Sequence, residues 1–78
     1  MSVQYRLVVA KKDERVDGPD DADLVFTAPV EVVTADGFDA TVEFMRGKVK
    51  ATGHSGEVLA ALRLGEVTSA FSRLASQL

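Results

Sequence analysis

The chain has no cysteine and no tryptophan, one histidine, one tyrosine and two prolines. Without cysteine it has no disulfides, thiolate nucleophiles or zinc–thiolate sites, and a small uncrosslinked domain fits a reducing cytoplasm. No apolar run approaches the ~18 residues of a membrane span, and the opening Met-Ser-Val-Gln-Tyr-Arg lacks the charged and apolar regions of a signal peptide. The expectation is a soluble, cytoplasmic protein with no stable membrane insertion. Positive charge is also short: nine Lys and Arg stand against twelve Asp and Glu, for a net charge of −3 and a pI near 4.9. That balance argues against nucleic acid, whose phosphates call for a net basic face. His54 has no second group placed beside it by spacing, so no Ser-His-Asp relay can be built. The acidic residues Asp17, Asp20, Asp21 and Asp23 lack the alternating spacing and distal Glu of a calcium loop, and read as a solvated turn. Gly53-His54-Ser55-Gly56 spells the Gly-x-x-Gly of an RNA-clamping loop, but Glu57 follows it and no aromatic is interleaved for stacking. The expectation is a non-enzyme without metal or cofactor.

What is present is pattern. Seventy-eight residues make one domain, and a chain of this size buries only about 60–65% of its unfolded surface. Val3, Tyr5, Leu7 and Val9 alternate with Gln4, Arg6, Val8 and Ala10, the two-residue period of a strand. Glu14-Arg15-Val16 reads as a short returning strand between two turns, and Ala22 to Thr27 as a third strand with Leu24 and Phe26 on one face. Pro29 to Ala35 allows about two turns of β-branched helix, with Thr27 as a cap and Gly37 as the stop. Asp39 is placed to cap a second short helix from Ala40 to Arg46. Towards the C-terminus, Val67, Ala70, Phe71, Leu74, Ala75 and Leu78 recur at helical spacing. The preceding stripe, Val58, Leu59 and Leu62, falls out of phase with them, and Gly65 marks the expected break.

The densest punctuation runs from Thr41 to Gly56. Gly47 stops the short helix, because glycine adopts the left-handed conformation after a helix without a Cβ clash. Lys48, Lys50 and Thr52 then alternate with Val49 and Ala51 as a strand, so Arg46, Lys48 and Lys50 read as a solvated basic face. Ser55 is expected to cap a helix beginning near Glu57. The segment Phe44-Met45-Arg46-Gly47-Lys48-Val49-Lys50-Ala51-Thr52-Gly53 resembles the signature of the sterol carrier, or non-specific lipid-transfer, domain family. The likeness runs from about Val3 to about Leu64 and includes Asp21-Ala22-Asp23-Leu24-Val25-Phe26-Thr27 and Gly37-Phe38-Asp39. Two residues depart from the family pattern: Glu43, where a small apolar residue is usual, and His54, where Asp or Asn is usual.

The alternating strands and short helices imply an α+β fold, a mainly antiparallel sheet of about four strands covered by short helices with an amphipathic C-terminal helix, and the resemblance strengthens that expectation. The resemblance also implies non-catalytic binding and transfer of an apolar lipid, a fatty acyl or sterol-like molecule, by Phe38, Phe44, Met45, Leu62, Phe71 and Leu74. A dry tunnel of ~300 Å³ would cost on the order of 7 kcal/mol, comparable with the whole stability of a small domain. Such a site is expected to hold lipid, to close by inward collapse of the C-terminal helix, or to be filled by a partner. Family members normally begin with a long helix and an extra strand, so the resemblance implies either a shortened copy, in which Val3–Ala10 or a neighbouring strand has an unpaired edge, or a fragment whose true start lies upstream. A homodimer formed by edge pairing or helix swapping would cover that edge. The alternative reading is a structural or dimerisation module of the same fold with no open tunnel.

Overall fold

The computed structural model describes residues 2–77, which form a two-layer α+β domain with a four-stranded mixed sheet. The strands are β1 (Val3–Ala10), β2 (Asp13–Asp17), β3 (Leu24–Pro29) and β4 (Lys50–Thr52), in the order β2-β1-β3-β4. β1 pairs antiparallel with β2 and parallel with β3, and β3 pairs antiparallel with β4. Two of the three pairings are therefore antiparallel, as expected, while the central pair is parallel. Val3–Ala10 itself is the second of four strands, hydrogen-bonded on both sides, and the free edge falls on the neighbouring β2, with β4 at the opposite side of the sheet.

The actual edges are unwelcoming to another strand. β2 carries Asp13, Glu14, Arg15 and Asp17 among its five residues, and β4 is three residues long with Lys50 at its start. Charge and shortness are two of the devices by which proteins blunt sheet edges. They weigh against dimerisation by edge pairing.

The β1 alternation sorts its side chains between two faces. Tyr5 and Leu7 point inward beside Leu24, Phe26 and Ala28 of β3, all buried, while Arg6 and Val8 lie half-buried on the outer face. The inner face is covered by α1 (Val30–Val33), α2 (Ala40–Met45), α3 (Ser55–Arg63) and α4 (Glu66–Ser76). α4 buries Val67, Ala70, Phe71 and Leu74, the expected stripe; Leu78 lies outside the described residues. α3 buries Val58, Ala61 and Leu62. The two helices separate where expected, at Gly65, which has φ of 75°.

Local chemistry explains most helix ends. The Asp39 carboxylate accepts from the Thr41 and Val42 amides at 2.9 and 3.4 Å, the expected cap of α2. At the other end Gly47 has φ of 79°; its amide donates to the Phe44 carbonyl and the Lys48 amide to the Glu43 carbonyl, closing a Schellman turn. α1 is one turn rather than two. The Thr34 amide and hydroxyl both donate to the Val30 carbonyl, at 2.9 and 2.8 Å, and the helix ends there. Thr27 sits inside β3, and Pro29 occupies the N-cap position of α1. α3 starts at Ser55 with His54 at its N-cap and no side-chain cap bond, so the expected Ser55 cap does not form.

One buried polar residue holds the crossing from β2 to β3. Gln4, on the outer face and fully buried, donates from Nε2 to the Pro19 carbonyl at 3.0 Å and the Asp20 carboxylate at 3.4 Å. Its Oε1 accepts from Arg6 Nε at 2.7 Å. Residues 18–23 thus pack over the start of β1, and both polar ends of the amide are satisfied.

Candidate functional site

Three aromatic contacts mark the centre of the apolar layer. Tyr5 stacks on Phe26 with ring centroids 5.9 Å apart and meets Phe71 edge-on at 5.7 Å; Phe38 meets Phe71 edge-on at 6.4 Å. These are the offset and T-shaped arrangements that aromatic quadrupoles favour. Of the six residues expected to bind lipid, Leu62, Phe71 and Leu74 are buried members of this core, and Phe38 and Phe44 are half-buried and packed against it. Met45 is separated from them. Its side chain is 80% exposed on the last turn of α2.

Phe38 and Phe44 bracket α2, the six-residue helix at the rim of the aromatic core. Two long-range hydrogen bonds tie α2 down. The Ala40 amide donates to Thr68 Oγ1 of α4 at 2.9 Å, and Thr41 Oγ1 donates to the Leu62 carbonyl at the end of α3 at 3.3 Å. A short helix held by few polar contacts and two half-buried rings is the kind of element that opens locally at small free-energy cost. Phe38, just before it, meets Phe71 of the core edge-on.

Tyr5 also supplies a reporter. Burial raises the pKa of its phenol above the usual 10.0; Glu66 of α4 and Asp17 of β2 add to the rise, and Arg73 of α4 opposes it. With its folded pKa raised, Tyr5 favours the folded state fully below pH ~10, and that contribution is lost as pH rises through the folded value. Unfolding midpoints measured across the alkaline range should therefore fall more steeply for the parent than for Tyr5→Phe. Identical curves for the two proteins would contradict the buried placement of the ring.

A second feature mixes charged and apolar walls. A cleft of about 520 Å³ opens between α1 with its following turn and the C-terminal end of α2, lined by the charged Glu31, Asp36, Glu43, Arg46 and Lys48 and by the apolar Pro29, Val32 and Ala35. None of the six expected lipid residues lines it. Arg46 caps the end of α2 and Lys48 lies in the turn, so only Lys50 belongs to the strand, and the expected continuous basic strand face is absent. Sequence spacing gave no hint of the cleft, because its walls come from segments joined by no helical or strand period.

His54 is exposed, and among the described residues no group of three His, Cys, Asp or Glu side chains is arranged to hold a metal ion. Among them, too, no helix is long and apolar enough to cross a membrane. Comparison with protein-family models, with curated proteins and with solved structures finds no match.

Proposed function

We propose that the protein binds and transfers an apolar lipid, a fatty acyl chain or sterol-like molecule, without catalysing a reaction. The observation that carries this reading is the aromatic core centred on Phe71, bordered at α2 by the half-buried rings of Phe38 and Phe44. The chain's resemblance to the sterol carrier signature adds to it, and the signature glycine Gly47 forms the turn that ends α2. Binding works by desolvation. α2 swings outward, an apolar chain slides against Phe38, Phe44, Leu62, Phe71 and Leu74, and the helix closes over it. Each buried methylene contributes about 0.8 kcal/mol, so a chain of ten carbons offsets the cost of displacing one short helix. The closed apolar layer fits the energetic argument against keeping a dry tunnel open.

The test uses the only tyrosine of a chain without tryptophan. Tyr5 lies in the aromatic cluster, so its emission should change saturably on titration with a long-chain fatty acid, with amide shifts concentrated in residues 38–45. An unchanged Tyr5 signal and unmoved amides, with fatty acid and with sterol, would end this reading. The interaction-module alternative has one specific support: Leu64 is 72% exposed, Leu59 53% and Met45 80%, apolar side chains on or beside α2 and α3. A ligand-free dimer in solution whose assembly is lost on Leu64→Glu would favour it.

A further inference from the structure

We propose that the cleft between α1 and the end of α2 binds a small zwitterion that carries a primary ammonium and a phosphate or carboxylate. The two walls differ in charge. Glu31 of α1 and Asp36 of the following turn are exposed on one side, and Arg46 and Lys48 stand at the end of α2. Opposite charges line the same space, yet Glu31, Asp36 and Lys48 are in no ion pair among the described residues; the cleft's one pair is Arg46 with Glu43 at 3.4 Å. Charges separated by an open gap match a dipolar molecule better than a simple ion, because either ion alone would meet like charge on one wall.

The geometry narrows the chemistry further. Glu43 is largely buried, its side chain only 15% exposed, and its bond to one nitrogen of Arg46 leaves the rest of the guanidinium fork available. That fork suits the paired oxygens of a phosphate or carboxylate. Lys48 is held beside it by the bond from its amide to the Glu43 carbonyl at 2.9 Å. On the acidic wall, carboxylates accept hydrogen bonds from a primary ammonium. No aromatic side chain lines the cleft, so it lacks the ring faces that recognise a quaternary ammonium. The cleft, about 520 Å³ and open to solvent, has room for a small molecule held chiefly by its charged ends, with Pro29, Val32 and Ala35 also in its lining. An ethanolamine phosphodiester has this combination of groups, whether as a lipid headgroup or as a free compound. Because the cleft shares no residue with the apolar site, this inference does not depend on lipid binding.

The experiment follows amide resonances of the whole chain during titration with glycerophosphoethanolamine, glycerophosphocholine and inorganic phosphate. The proposal predicts saturable shifts confined to residues 31–36 and 43–48 for the ethanolamine compound, with binding at least about tenfold weaker for the other two. Lys48→Ala and Asp36→Asn, both at exposed positions, should each weaken binding about tenfold while leaving the unfolding midpoint unchanged. Vesicles of phosphatidylcholine with and without phosphatidylethanolamine identify the source. Co-sedimentation that needs the ethanolamine lipid and is lost in both variants assigns a headgroup; binding of the free compound alone assigns a soluble zwitterion. Unmoved amides, or equal binding of the choline compound or of inorganic phosphate, would overturn the proposal.

Discussion

Phe71→Ala is expected to remove a large share of the stability of the domain, whereas Met45→Ala leaves it nearly unchanged. Phe71 is fully buried and packs edge-on against both Tyr5 and Phe38, so truncation opens a cavity between α4 and the sheet. Such changes cost about 3–5 kcal/mol. A domain of this size has only roughly 4–12 kcal/mol in total, and its melting midpoint should fall by roughly 15–30 °C. Met45 has solvent over most of its surface, and its replacement should stay within about 0.5 kcal/mol. The contrast matters because both residues belong to the apolar set expected to hold lipid. Thermal unfolding of the two variants checks it, and comparable losses would mean that α2 packs differently from the arrangement described.

The second large effect is expected at Gly18→Ala. Gly18, with φ of 113°, sits where the chain leaves β2, and a Cβ there would run into the Val3 carbonyl oxygen and approach the Gln4 Cα at 2.9 Å. These are backbone atoms of the central strand and have no rotamer by which to escape. Backbone strain of about 1–3 kcal/mol adds to the clash, and relief requires shifting the 18–23 crossing that Gln4 holds in place. A loss of about 3 kcal/mol or more follows. Gly37→Ala provides the control: its φ is 73°, but a Cβ would meet nothing within 4 Å, so only the conformational cost of about 1–2 kcal/mol applies. Chemical denaturation of the pair should separate them clearly. If Gly18→Ala cost no more than Gly37→Ala, the crossing over β1 would be wrong.

The elements that were legible in the sequence are those decided by neighbours along the chain. The alternation of β1, the Asp39 cap, the Gly47 turn and the break at Gly65 each follow from a few adjacent residues. Where a local competitor intervenes, the boundary moves: the Thr34 hydroxyl takes the Val30 carbonyl and shortens α1 to one turn. What was not legible depends on contacts distant in sequence. The parallel register of β1 on β3 is fixed when residues 18–23 carry the chain across the start of β1, and no pattern within either strand encodes it. Gln4 falls on the mixed face of an alternating strand, where the period does not mark it as buried; it is buried because Pro19 and Asp20 return to its amide. For the apolar site, helical spacing placed Leu62, Phe71 and Leu74 in the core. It could not tell that Met45, next to Phe44, would point away, because α2 ends there and the Schellman turn begins.

Whether the aromatic layer between the sheet and α2 to α4 accepts an apolar chain is decided by native mass spectrometry of the purified full chain, followed by denaturing extraction. With lipid bound in that layer, a lipid-sized mass accompanies the folded protein, is released on denaturation, and is reduced in a Phe38→Ala variant that keeps the parent's fold. A protein that stays ligand-free even after incubation with excess fatty acid and sterol would contradict it.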